Sequence, residues 1–196
     1  EAIQLNPNNS EAWRGRGTAL NDLKQYEQAV KYHDKAVELN PSYSNAYNNR
    51  GWNYCCLKQY ERAILDLNKA IALNPNNAKA YNNRGVAYMD GLKQYEHAAQ
   101  DFTKAIELNP KYYYAYNNRG LSHNGLKQYK QAIPDFDKAI ELNPNYANAY
   151  NNRGWAYYCM KNYQQALKDF DKALELNPNH TKAKNNREAC LKAMDK

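Results

Sequence analysis

The sequence predicts an all-α solenoid of antiparallel helix pairs, and two observations predict it. The tripeptide Leu-Asn-Pro occurs six times, with its prolines at Pro7, Pro41, Pro75, Pro110, Pro144 and Pro178, spaced 34, 34, 35, 34 and 34 residues apart. Within each period, apolar residues return at three- and four-residue steps, the spacing of one helical face. A repeat this short cannot bury that face alone, so neighbours must stack to make a core.

Aligned on proline, the chain divides into the end of a preceding repeat (1–9) and five full repeats (10–43, 44–77, 78–112, 113–146 and 147–180). A terminal capping helix follows at 181–196. Each full repeat reads as two helices. In the second repeat the first helix is expected over residues 44 to 57, where Ala46, Tyr47, Arg50, Gly51, Tyr54 and Leu57 share a face. The turn Leu-Lys-Gln-Tyr leads to the second helix, where Tyr60, Ala63, Ile64, Leu67, Ala70 and Ile71 repeat the pattern. Asn-Pro ends it, because proline cannot continue the hydrogen-bond ladder and disfavours helical geometry in the residue before it. Glycine inside a helix costs about 1 kcal/mol relative to alanine. Its return at Gly17, Gly51, Gly85, Gly120 and Gly154 therefore implies close helix contact.

Two places break the period. Gly91 lengthens the third repeat by one residue at its turn, and Pro134 falls inside the expected second helix of the fourth. There it should remove a hydrogen bond and bend the start of the helix. At the far end, Lys184 replaces the aromatic and Glu188 the glycine, which predicts a capping helix with one solvated face. The opening EAIQLNP matches the tail of a second helix, KAIELNP at 104–110, so the chain is expected to be part of a longer array. Such an open half-helix also raises end-to-end self-association as an expectation.

The second repeat offers Tyr47, Gly51, Tyr54, Ala63, Leu67, Ala70 and Pro75; the third offers Tyr81, Gly85, Tyr88, Ala98, Phe102, Ala105 and Pro110. On these residues the chain resembles the tetratricopeptide repeat (TPR) family over its whole length. The resemblance implies a right-handed superhelix whose first helices line a concave groove, where extended peptides lie. Carried over by position, the groove would be lined by Asn48, Asn49, Asn82, Asn83, Asn117, Asn118, Asn151 and Asn152. Trp52, Val86, Leu121, Trp155, Tyr158 and Lys79 would stand beside them. Some relatives, notably repeats fused to the enzyme that attaches N-acetylglucosamine to proteins, hold a peptide backbone with an asparagine ladder. The carboxylate clamp that other relatives place on chaperone tails is only partly matched: Asn49 and Lys79 fit it, whereas Asn48, Trp52 and Asn83 do not.

The asparagines belong to YNNRG, which recurs unchanged at 47–51, 81–85, 116–120 and 150–154. At about 100° per residue its Tyr, Arg and Gly fall on the packed side and the Asn pair toward the other. A carboxamide both donates and accepts, so a regular ladder can hold a main chain of any sequence. Asparagine also suits a merely solvated surface, but it is a mediocre helix former, and its strict register implies more than solubility. The arginines have another explanation. Arg50, Arg84, Arg119 and Arg153 match Asp66, Asp101, Asp135 and Asp169 on the facing second helices, which predicts an ion pair in each repeat.

Composition excludes several classes. A net charge of +7 from 27 Lys and Arg against 20 Asp and Glu is mild. The lysines form stripes at the turns (Lys24, Lys58, Lys93, Lys127, Lys161) and late in the second helices, which suits a solvated outer face better than nucleic acid. No apolar run predicts membrane insertion. Four cysteines without metal-ligand spacing fit a reducing, cytoplasmic setting. The four histidines are scattered, His33 and His123 at positions usually aromatic, where satisfied core or edge histidines are expected. No phosphate loop, HExxH or GxSxG occurs, so no catalytic residue, metal site or cofactor is expected. The expected function is a protein-interaction scaffold binding an extended peptide or partner segment. The alternative is a recruiting domain of a larger enzyme, such as a glycosyltransferase, or of a signalling protein.

Overall fold

The computed structural model describes residues 6–194, and among them every regular element is a helix. The expected half-helix at the opening of the chain lies outside the described residues. The chain forms two compact bodies, Glu1–Leu108 and Asn109–Lys196. The first holds three helix pairs: α1 (Ser10–Asp22) with α2 (Tyr26–Leu39), α3 (Ser44–Cys56) with α4 (Tyr60–Leu73), and α5 (Ala78–Val86) with α6 (Tyr95–Leu108). The second holds α7 (Tyr113–Gly125) with α8 (Tyr129–Leu142), α9 (Ala147–Cys159) with α10 (Tyr163–Leu176), and the single helix α11 (Thr181–Met194).

Each pair closes on a small-to-large contact. A Cβ on Gly51 would lie 2.8 Å from Leu67 Cγ, and one on Gly120 would lie 2.6 Å from Phe136 Cε1. The second helix thus drives one bulky side chain into the space a glycine leaves, and Leu67, Phe102, Phe136 and Phe170 are fully buried. In the first repeat that place is taken by His33. It is fully buried against Gly17, with no hydrogen-bond partner on either ring nitrogen. It is a core histidine, as expected, but an unsatisfied one.

The helix ends explain both recurring turns. After the Leu-Asn-Pro tripeptides the asparagine folds the chain back on itself: Asn40 Oδ1 accepts from Ser42 N (3.1 Å), Asn74 from Asn76 (3.1 Å) and Asn143 from Asn145 (3.2 Å). At Leu-Lys-Gln-Tyr, the lysine takes the left-handed conformation that usually calls for glycine, with φ of 59° at Lys24, Lys58 and Lys127. The paired closing bonds run from Lys58 N to Cys55 O (2.9 Å) and from Gln59 N to Tyr54 O (2.8 Å). The turn stripe of lysines is therefore a row of helix caps. Lys127→Gly should raise stability by about 0.5–1 kcal/mol, the left-handed strain outweighing the chain entropy of glycine. Chemical denaturation checks this, and a lower midpoint would show that the lysine side chain supports the cap.

The extra residue of the third repeat is absorbed by a π-helical turn, Ala87–Gly91, at the end of α5. The closing bond is kept across one more residue, from Gln94 N to Tyr88 O (3.0 Å). Gly91 sits flat against Tyr60, whose Cγ would be 2.2 Å from a Cβ there. Pro134 lies on the exposed side of α8, which runs unbroken from Tyr129 to Leu142. Water can reach the carbonyl that the missing N–H would have bonded, so the helix is not ended there.

Candidate functional site

The asparagine pairs do not stand side by side on an open surface. The first member of each is buried, with Asn48, Asn82, Asn117 and Asn151 only 7, 5, 2 and 4% exposed, and the second is half-buried. The first member of each pair is thus covered by packing and the second is the one left partly open. The wheel places Asn48 away from the paired second helix, but the first helix of the next repeat packs over it.

What results is a zipper of side-chain amides. Asn83 Nδ2 donates to Asn48 Oδ1 (3.1 Å), while Asn48 Nδ2 donates to Asn49 Oδ1 (3.2 Å) and Asn49 Nδ2 to Thr18 (3.1 Å). In the second body, Asn152 donates to Asn117 and Asn186 to Asn151, both at 2.9 Å, and Asn151 to Asn152 at 3.1 Å. The buried asparagine is both donor and acceptor, which a helix-to-helix contact without water requires. Asn83 and Asn152 each give one N–H and one lone pair to this network, and a carboxamide holds two of each.

The other expected groove residues divide by burial. Trp52 packs against the core around Leu67, and Leu121 against Phe136 and Ala156. Val86 is half-buried and Lys79 exposed. Trp155 stays 39% exposed and stacks on Tyr158, with centroids 5.4 Å apart and planes 29° apart.

A second aromatic group was missed in the sequence reading. Tyr113, Tyr114 and Tyr146 meet at the start of α7 and α9, with centroids 4.1, 5.2 and 5.4 Å apart, and Tyr114 is 44% exposed. A hydrogen bond to Tyr113, followed by burial, pushes Tyr114 up to about 12, so it stays neutral. The signal was the run Tyr112-Tyr113-Tyr114, where other repeats carry Ser or Ala and then Glu, Asn or Lys.

All four expected ion pairs are present. Arg50 grips Asp66 with Nε and Nη2, both at 2.7 Å, and reaches Asp34 with Nη1 (2.8 Å). Arg84–Asp101, Arg119–Asp135 and Arg153–Asp169 repeat the grip. Each arginine leans over the tyrosine of its own YNNRG, as Arg50 over Tyr47 at 5.5 Å. Helices α3, α5, α7 and α9 contain no Asp or Glu at all, so their faces away from the second helices carry no negative charge.

The thiols are quiet. Cys55 is buried and pushed up to about 12 by that burial; burial also raises Cys56 and Cys159. Among the described residues no group of His, Cys, Asp and Glu could hold a metal ion, and no helix is long and apolar enough to cross a membrane. Asn53 is a different kind of anomaly: fully buried, with neither amide atom bonded, where three of the other full repeats have alanine. Asn53→Ala should stabilise the protein by about 1–2 kcal/mol by removing two orphaned polar groups. A thermal melt reads it, and a lower midpoint would mean that the carboxamide has a partner in solution.

Models of the tetratricopeptide repeat match residues 10–43, 78–112, 113–146 and 147–180, with further repeat models matching 34–65 and 53–90. The chain belongs to the tetratricopeptide repeat family. Similar solved structures include YrrB, described as a TPR protein with an unusual peptide-binding site; it is 26% identical, covers 95% of this chain and 96% of its own, and has a TM-score of 0.70. MamA is 25% identical over 88% of this chain and 94% of its own, with a TM-score of 0.71. PilF of Pseudomonas aeruginosa, at 23% identity, covers 95% of this chain and 84% of its own with a TM-score of 0.83, and shows the fold alone. No curated protein is similar enough to count as a relative. Membership makes the chain a repeat scaffold of the protein-interaction kind. In TPR terms, the second helices hold the carboxylates that bind the arginines, and the first helices hold the zipper and the exposed aromatics.

Proposed function

We propose that this TPR chain holds an extended peptide or partner segment along the face of its first helices. The observation that carries the reading is the set of side chains on that face which packing does not require, Trp155 and Tyr114 foremost. An exposed aromatic is costly in water and profitable at an interface. In each body by itself, the half-buried asparagines, Asn49 and Asn83 in the first and Asn118 and Asn152 in the second, meet the ligand backbone, held in one orientation by the zipper behind them. Their buried partners Asn48, Asn82, Asn117 and Asn151 do the holding. Trp52 and Val86 shape the apolar floor in the first body, with Lys79 as a cation at its rim, and Leu121 and Tyr158 shape it in the second. The peptide-binding site described for YrrB, at 26% identity, supports the same use of the fold. TPR arrays are generally non-catalytic, and the quiet thiols agree with a binding role.

Site-specific photocrosslinking tests this. A photoreactive residue at Lys79, on the first-helix face of α5, should trap a partner from lysate. The same residue at Lys69, exposed on α4, should not. Adducts from position 69 alone would move the binding surface to the second helices and overturn the proposal.

A further inference from the structure

The second body leaves two large rings exposed on its first helices. At the second position of the first helix, α3 and α9 have Asn and α5 has Lys, whereas α7 has Tyr114. Seven residues later in that frame, α5 has Val86, α7 Leu121 and α3 Trp52, which packs against the core around Leu67, whereas the Trp155 of α9 stays exposed. Tyr114 and Trp155 are the large apolar side chains left exposed on α7 and α9, and each is braced by other rings. Tyr114 rests on Tyr113 and Tyr146, and Trp155 on Tyr158. Rings held this way lose little freedom when a ligand lands on them.

Their separation follows from helix geometry. The hydrogen bond from Asn152 Nδ2 to Asn117 Oδ1 and that from Asn124 Nδ2 to the Asn152 carbonyl (3.3 Å) lock α7 and α9 side by side. Seven residues of rise make roughly 10 Å along the axes, and neighbouring helices lie roughly 8–10 Å apart. The diagonal between the two anchors is then about 14 Å, the reach of about four extended residues.

Charge restricts the ligand further. Helices α7 and α9 carry no Asp or Glu, and their arginines are turned to Asp135 and Asp169 on the second helices. A lysine or arginine of the ligand would leave water here without gaining a counter-charge from either helix. We propose that Tyr114 and Trp155 are paired anchors for an extended segment bearing two aromatic or large aliphatic side chains four residues apart, with no lysine or arginine between them. The inference rests on the reading that the first-helix face binds an extended peptide.

The test selects binders to the full chain from a phage-displayed random peptide library. Fluorescein-labelled versions are then measured by anisotropy, beside a designed probe, acetyl-Ser-Phe-Ser-Gly-Ser-Phe-Ser-amide. Tyr114→Asn and Trp155→Val install residues that other repeats carry at those positions, so the fold should survive, and circular dichroism checks it. Each change should weaken binding about tenfold, and so should replacing the central Gly of the probe by Lys. Selected peptides that bind both variants unchanged, lack the spacing or are rich in Lys and Arg would overturn the anchors while leaving peptide binding intact. A library that yields no binder at all would overturn both.

Discussion

His33→Phe should make the protein more stable at neutral pH and remove an acid-sensitive step. The ring fills the place held by Leu67, Phe102, Phe136 and Phe170 in the other full repeats, yet both nitrogens are buried without partners. Burial, aided by the positive charges of Arg14 and Arg50, lowers its pKa to about 4. An unfolded chain binds a proton there near pH 6.5, so between roughly 6.5 and 4 the unfolded state holds more protons than the native one. Stability from this group is fully present above about pH 6.5 and is lost as pH falls toward 4. The loss is on the order of 3 kcal/mol. Phenylalanine has no such linkage and leaves no orphaned nitrogen. Urea denaturation of both proteins at several values between pH 7.5 and 4.5 should give curves that diverge as the acid is increased. Parallel curves would mean that the imidazole finds water or a partner, and that its burial is less complete than the packing against Gly17 implies.

Arg153→Ala should be among the most damaging single changes, costing about 3–5 kcal/mol. Arg153 holds Asp169 by two bonds, Nε to Oδ2 at 2.9 Å and Nη2 to Oδ1 at 2.7 Å, and also bonds Asp137. Asp169 is 3% exposed, and burial raises its carboxyl above the usual range even with the guanidinium against it. Removing the arginine leaves that carboxylate in a dry place, where it must be protonated or drag in water. A double variant, Arg153→Leu with Asp169→Leu, removes the pair together and should cost less than Arg153→Ala alone. Denaturation of the single and double variants decides it. A single variant within about 1 kcal/mol of the parent would show that the pair behaves as a solvated surface bridge.

These two cases mark how far the sequence could be read. The Arg–Asp pairs were legible because each partner recurs at a fixed position of its own helix, and the facing of two helices within a repeat follows from the period. The second repeat's first helix was expected over 44 to 57 and runs Ser44–Cys56, since proline, the turn and the apolar steps mark its ends locally. The extra residue at Gly91 was visible as a break in the count, but its form as a π-helical turn was not. That form depends on keeping the bond from Gln94 to Tyr88 while Gly91 slides against Tyr60.

The candidate site was legible only in outline. A helical wheel describes one helix and its own pair, so it placed Asn48 and Asn49 together on an outer face. Burial there is decided by the helix of the next repeat, which takes Asn48 into the zipper and leaves Asn49 half-exposed. By itself the sequence determined the period, the helix pairs, the ion pairs and the family, because these rest on local propensity and on spacings that a single chain displays. Only the tertiary structure decided which asparagine of each pair is buried and which is left half-exposed, that His33 has no partner, and that Trp155 and Tyr114 stay in water while Trp52 and Leu121 pack against the core. Those outcomes depend on atoms from neighbouring repeats, and repeat spacing alone does not say which side chain a neighbour will cover.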